Sequence, residues 1–257
     1  MRRVFPALAV CAVALTGCGS GGTGASGSHE LVVSAAASLT DAFTDIGSAF
    51  EHANPGVTVT LNFGHSDGLA SQINEGAPVD VFASASPTWM DAVAEDGPGV
   101  TGRADFARNR LAIVVPADNP AGIECLDDLT EKGVALVLAA EGVPAGDYAR
   151  QILADAGIAD AVLANVVSNE EDVKGAVTKV LTGDADAGIA YVTDVTPDLA
   201  DRITLVPIPD DVNVIATYPV AIVNASKETD LAQRFVDHVL GDGQRTLSRY
   251  GFLPPAG

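Results

Sequence analysis

Ser34-Ala35-Ala36-Ala37-Ser38-Leu39-Thr40 carries the chain out of a strand and into a helix, and this turn sets the pattern of the fold. Upstream, Leu31-Val32-Val33 is a short apolar strand. Downstream, Leu39, Phe43, Ile46 and Phe50 recur at helical spacing until Asn54-Pro55-Gly56 stops them. The three alanines leave the backbone open to close approach. Ser38 sets a hydroxyl beside the unpaired N–H groups of a helix start, at the positive end of its dipole. An anion can be held in such a place without a cation, although serine there is also an ordinary helix cap.

The same design recurs along the chain. Val57 to Phe63 alternates apolar and polar residues as a strand. Gly64-His65-Ser66-Asp67-Gly68 then leads into a helix through Leu69 and Ile73, with Ser66 or Asp67 as its expected cap. Val79 to Ala83 is a third strand, and Ser86-Pro87 opens a helix with proline in its first turn. Three β–turn–α units in succession predict a doubly wound, mainly parallel sheet, in which ligands sit beyond the carboxyl ends of the strands. Leu111 to Val115, ended by Pro116, crosses into a second lobe. There Val134 to Ala140 and Ala187 to Val192 are strands, and Asp147 to Ala156 and Glu170 to Leu181 are helices. Ile203 to Ile208 and Tyr218 to Val223 are further strands, and Asp230 to Leu240 and Gln244 to Tyr250 are closing helices.

The 257 residues suffice for one or two domains with a substantial core. The formal charge of −20, from 34 acidic against 14 basic residues, argues against nucleic acid or an anionic membrane surface as a partner. No clustered His and Cys ligands and no calcium-loop spacing accompany that acidity. Residues 1–17 read as an export signal, with Arg2 and Arg3 before the apolar stretch Val4 to Leu15. Its end, Leu15-Thr16-Gly17-Cys18, resembles a bacterial lipoprotein signal, which implies cleavage before Cys18 and lipidation of that thiol. Residues 18–29 form a Gly/Ser/Thr-rich tether with a reach of roughly 20 Å. Loss of Arg2 and Arg3 takes the charge from −20 to −22. Cys11 leaves with the signal and Cys18 is used by lipid, so Cys125 has no disulfide partner and is expected as a small buried apolar residue.

Eight ordered pieces resemble the periplasmic molybdate-binding proteins of ABC transporters. They are Ala35-Ala36-Ala37-Ser38-Leu39-Thr40, Phe63-x-x-Ser66-x-x-Leu69-x-x-Gln72-Ile73, Gly76-Ala77-Pro78-Val79-Asp80 and Val143-Pro144-Ala145-Gly146-x-Tyr148-Ala149 in the first half and middle of the chain. Glu171-Asp172-Val173-Lys174-Gly175-Ala176, Gly188-Ile189-x-Tyr191, Tyr218-Pro219-Val220-Ala221 and Arg249-Tyr250-Gly251-Phe252 follow. The resemblance implies a two-lobed type II periplasmic-binding-protein fold: residues 30–110 and 219–257 form one lobe, 111–218 the other, and the ligand lies in the cleft. It implies a monomeric binding protein, not an enzyme and without a cofactor, that takes molybdate or tungstate. It also implies delivery to an ABC permease and its ATPase from outside the cytoplasmic membrane, with the lipid anchor as the sole membrane attachment.

The same resemblance maps the oxyanion contacts onto Ser38 and Ser66 from one lobe, and Ala145, Val173 and Tyr191 from the other. Hydroxyls, backbone N–H groups and one phenol would hold the anion's oxygens. His65-Ser66-Asp67 departs from the family pattern, since an ionised Asp67 facing the cavity would repel an oxyanion; it is expected to point away as a helix cap. Sulfate or phosphate is the alternative ligand. A hydrolase built on the adjacent His65, Ser66 and Asp67 is disfavoured, because neighbours in sequence make poor triad partners and no Gly-x-Ser-x-Gly turn is present.

Overall fold

The computed structural model describes residues 29–256; the export signal, Cys18 and most of the tether lie outside the described residues. In the first lobe, strand β1 (His29–Ala36) pairs in parallel with β2 (Val57–Gly64) and with β3 (Val81–Ala83). The side chains of β1 alternate as a strand must. Leu31, Val33 and Ala35 pack under helix α1 (Thr40–Ala53) with Phe43, Ile46 and Phe50. Val32 packs on the opposite face with α2 (Ser66–Asn74) and α3 (Pro87–Asp96), through Leu69, Ile73, Met90 and Val93. Helices thus cover both faces of the sheet, as the repeated β–turn–α pattern predicts.

One long strand joins the lobes. β4 (Val100–Pro116) runs antiparallel to β9 (Ile215–Val223) through Arg110, and from Leu111 it runs antiparallel to β7 (Ala187–Tyr191). Its last five residues also pair with β8 (Ile203–Pro207). In the second lobe β5 (Leu136–Ala139) pairs in parallel with β6 (Val166–Glu170) and β7. Helices α4 (Pro144–Asp155), α5 (Ala159–Leu163) and α6 (Val173–Thr182) flank that sheet, and α7 (Thr229–Leu240) and α8 (Gly243–Arg249) return to the first lobe. The sheet order β2-β1-β3-β9-β4-β7-β5-β6 is therefore continuous across the junction. Parallel ladders build the interior of each lobe, and antiparallel ladders build the crossing.

The first half of β4 was not visible as a strand in the sequence. Two register irregularities, between Thr101 and Ala104 and between Asp105 and Ala107, break its alternation. Cys125 is corrected as well: it is exposed, its N–H and Sγ both directed at Asp128 Oδ2 at 3.0 and 3.4 Å. It sits in a surface turn where a carboxylate, not the core, receives its polar groups.

Candidate functional site

Four helical starts converge between the lobes, two from each. From the first lobe come the 3-10 turn Ala37–Leu39 that leads into α1, and the start of α2. From the second come the starts of α4 and α6. Each leaves first-turn N–H groups without intrahelical acceptors, and each points its positive end at the same spot. No side chain caps the 3-10 turn, α1 or α4. The cavity there measures about 20 Å³, room for one small solute rather than a sugar or peptide. Ser38, Ser66, Ala145, Val173 and Tyr191 all line it, beside His65, Ala85, Val143 and Asp172.

The hydroxyls are oriented by their hydrogen-bond partners. Ser66 Oγ, 1% exposed, accepts from the Ala85 N–H at 3.1 Å, which leaves its own proton to donate inward. Ser38 Oγ lies 3.0 Å from the Tyr218 hydroxyl. Tyr218 in turn receives from Asn109 Nδ2 at 3.4 Å, and the Asn109 amide is fixed by Arg110 N–H donating to its Oδ1 at 3.0 Å. Asn109, Tyr218 and Ser38 thus form one buried hydrogen-bonded chain in which either hydroxyl can donate to the other; when Tyr218 donates, the serine proton is left for an acceptor in the cavity. Sequence reasoning missed Asn109 and the Ser38 partnership of Tyr218, because neither is near Ser38 in the chain.

Tyr191 is 1% exposed, and its hydroxyl is buried without a hydrogen-bond partner. A buried, unpartnered phenol is costly unless something arrives to use it. Burial, reinforced by Tyr218, Tyr148 and Asp194 nearby, pushes its pKa well up, so it is a donor at every physiological pH. Burial likewise raises Tyr218.

Among the described residues no lysine or arginine lines the cavity. Its carboxylate, Asp172, is turned to cap α6, with Oδ1 accepting from the Gly175 N–H at 2.8 Å. The start of α4 is brought in by Gly146, where a Cβ would lie 2.2 Å from the Ala140 carbonyl oxygen; only glycine lets the helix seat so closely on the end of β5.

The cap of α2 is a correction to the sequence reading. His65, rather than Ser66 or Asp67, holds the cap position, and its Nδ1 lies 3.1 Å from Gly68 N and 2.7 Å from Asp67 Oδ1. The ring accepts from Gly68 or donates to Asp67 according to which nitrogen carries the proton. Asp67 does not line the cavity. Ser66, relieved of capping, keeps its hydroxyl for the cavity.

Comparison with known proteins places these features in context. A family model described as bacterial extracellular solute-binding protein matches residues 31–253. The molybdate-binding protein ModA of Mycobacterium tuberculosis is 39% identical over 254 residues, covering 96% of this chain and 95% of the relative. ModA of Escherichia coli is 33% identical over 231 residues, covering 87% and 88%. Among solved structures, the periplasmic molybdate-binding protein of Azotobacter vinelandii superposes with a TM-score of 0.76 at 21% identity, covering 88% of this chain and 100% of that one. The sulfate-binding protein SubI of Mycobacterium tuberculosis shares the fold at a TM-score of 0.75 and 17% identity, covering 88% of this chain and 87% of that one.

Proposed function

The chain belongs to the bacterial extracellular solute-binding protein family, among its molybdate-binding members, and on that premise we propose that it captures molybdate between its two lobes. Such proteins bind and hand over a solute rather than transform it, and molybdate is their ligand, not a cofactor. The proposed contacts are Ser38 and Ser66 from the first lobe and Ala145, Val173 and Tyr191 from the second. The observation that carries the reading is the cavity itself. Small and bounded by helix starts, it holds a buried phenol without a partner, and among the described residues no lysine or arginine lines it.

The chemistry of the ion fits those donors. Molybdate is a tetrahedral dianion with four acceptor oxygens and no proton at neutral pH. Hydrogen bonds to a charged group contribute roughly 1.5–3 kcal/mol each. A handful of them supports the roughly 8–12 kcal/mol of micromolar to nanomolar binding after ordering costs are subtracted. Phosphate near neutral pH carries a proton that needs an acceptor, and a cage of donors leaves it unpaired at a cost of several kcal/mol. Sulfate has no proton but is smaller, so its oxygens do not reach every donor together. Tungstate matches molybdate in charge and nearly in size, and is proposed as a second ligand.

The proposal extends to the setting. Residues 30–110 with 219–257, and residues 111–218, form the lobes; the change of partner along β4 between Arg110 and Leu111 supports the first of those boundaries. Cys18 carries a lipid that tethers a monomeric protein outside the cytoplasmic membrane, from where it delivers its ion to a separate ABC permease and ATPase. The motif at Leu15 to Cys18 supports the anchor. Among the described residues no helix is long and apolar enough to cross a membrane. A thermal-shift screen of the protein against molybdate, tungstate, sulfate and phosphate tests the ligand. At a hundredfold excess over the dissociation constant, stabilisation of about 2.7 kcal/mol, several degrees, is expected with the first two. No shift with either overturns the assignment.

A further inference from the structure

We propose that Trp89 and the Asp41–Lys174 ion pair form a two-point clasp that holds the lobes shut and thereby sets affinity, with neither contact touching the ligand. The inference rests on the anion-capture reading above. On one flank of the cavity, Trp89 of α3 donates its indole Nε1–H to the Gly142 carbonyl at 2.8 Å, crossing from the first lobe to the second. Gly142 adopts φ +89, a conformation suited to glycine, in the turn before α4. Its own N–H donates to Asp147 Oδ1 in the first turn of α4 at 2.8 Å. The turn is therefore fastened to the helix start that carries Ala145, and the indole fastens that turn to the opposite lobe.

On the other flank, Lys174 Nζ donates to Asp41 Oδ2 at 2.8 Å. Lys174 follows Val173 at the start of α6, and Asp41 lies in the first turn of α1, three residues beyond Ser38. The second-lobe helix start is again tied to the first lobe within a residue or two of a cavity-lining position. None of Trp89, Asp41 and Lys174 lines the cavity. Separation of the lobes breaks both contacts, whereas the Gly142–Asp147 bond lies within one lobe and survives. A contact present in only one of two conformations shifts the balance by its full worth. Binding that requires the closed form inherits that shift. The two contacts are also chemically unlike: the indole bond is neutral and partly buried, while the ion pair is half-exposed and so open to screening by salt.

Electrostatics gives the ion pair a decisive test. For a dianionic ligand, removal of a nearby carboxylate by Asp41→Asn should tighten binding if charge alone matters. The clasp predicts the reverse, because the partner of Lys174 is weakened. Molybdate should be titrated calorimetrically into the wild type, Trp89→Phe, Asp41→Asn and Lys174→Arg, with the melting temperature of each ligand-free protein measured alongside. Trp89→Phe keeps the ring and loses the donor. It should raise the dissociation constant about three- to tenfold, and Asp41→Asn up to about fivefold. Lys174→Arg keeps a cation for Asp41 and should retain most of the wild-type affinity, and ligand-free melting temperatures should barely move. Trp89 is the single tryptophan of the chain. Its emission in the wild type should therefore change on molybdate addition, and Asp41→Asn should need more ligand to reach the same change. Unchanged affinity in Trp89→Phe, or equal or tighter binding by Asp41→Asn, overturns the clasp and leaves anion capture standing. A wild type that binds neither molybdate nor tungstate overturns both.

Discussion

The hydroxyl of Tyr218 lies 3.0 Å from that of Ser38, although 180 residues separate them. Tyr218 belongs to the strand that returns from the second lobe, and Ser38 to the first turn of the chain. The returning strand thus supplies the hydrogen-bond partner of the first contact residue. Tyr218 is fully buried, packed edge-on against Tyr191 and Phe252 at 5.8 and 5.5 Å between ring centroids. Tyr218→Phe should keep that packing and release Ser38 from its partner. Calorimetry should show molybdate binding weakened by about 1 kcal/mol. Urea unfolding should show a loss of similar size.

Asp194 gives stability a pH dependence of definite sign. Its carboxyl is 5% exposed, with Oδ2 accepting the Tyr191 N–H at 3.1 Å and Oδ1 unpartnered. Burial pushes its pKa up from 3.8 to about 7, against the lowering effect of Lys174 and of the Tyr191 N–H. The folded protein therefore binds a proton between pH 3.8 and about 7 that the unfolded chain has released. Across that window stability falls as pH rises, by on the order of a few kcal/mol from this group. Asp194→Asn can still accept from Tyr191 N–H. Denaturation measured at several pH values should show a flatter profile for this variant than for the wild type, with the difference confined to that window.

Gly146→Ala should be far worse than an ordinary glycine substitution in a helix. The new Cβ would meet the Ala140 and Ala139 carbonyl oxygens at 2.2 and 2.4 Å, so α4 must lift off β5. Because Ala145 precedes it, affinity should fall along with stability. The expected result is a melting temperature lower by several degrees and molybdate binding weakened at least tenfold. An alanine variant with wild-type stability and affinity would show that α4 is not seated as described.

Asp67→Ser should leave selectivity unchanged, since the carboxylate contacts His65 and stays off the cavity lining. Titration of the four anions into the variant should give the wild-type order. Phosphate binding that is present in the wild type and lost in the variant would instead place Asp67 as a ligand contact.

The sequence reveals some of this architecture readily and hides the rest for physical reasons. The β–turn–α units are legible because α1 repeats apolar residues every three to four positions, while β2 alternates. The helix-start turns are legible because small residues, Ser and Pro cluster there. The five candidate contacts came from family resemblance; the structure gathers them around one cavity, from both sides of the β4 crossing. What composition and spacing could not supply were relationships across the fold. Tyr218 reaches Ser38, Trp89 reaches Gly142, and Lys174 reaches Asp41, each over a long stretch of chain. Local rules also misassigned the cap of α2, because His65 is a rare cap whose ring nitrogen substitutes for a hydroxyl. They misplaced Cys125 because apolar preference says nothing of a turn that offers a carboxylate.

The most direct measurement is calorimetric titration of molybdate, tungstate, sulfate and phosphate into the wild type and Tyr191→Phe. The wild type should bind one molybdate or tungstate per chain with micromolar or tighter affinity, sulfate far more weakly and phosphate not at all. Tyr191→Phe removes one donor and keeps the ring, so molybdate binding should weaken by roughly 1.5–3 kcal/mol with the fold intact. Unchanged affinity in the phenylalanine variant, or tight phosphate binding by a wild type that ignores molybdate, would contradict capture of a deprotonated oxyanion by neutral donors.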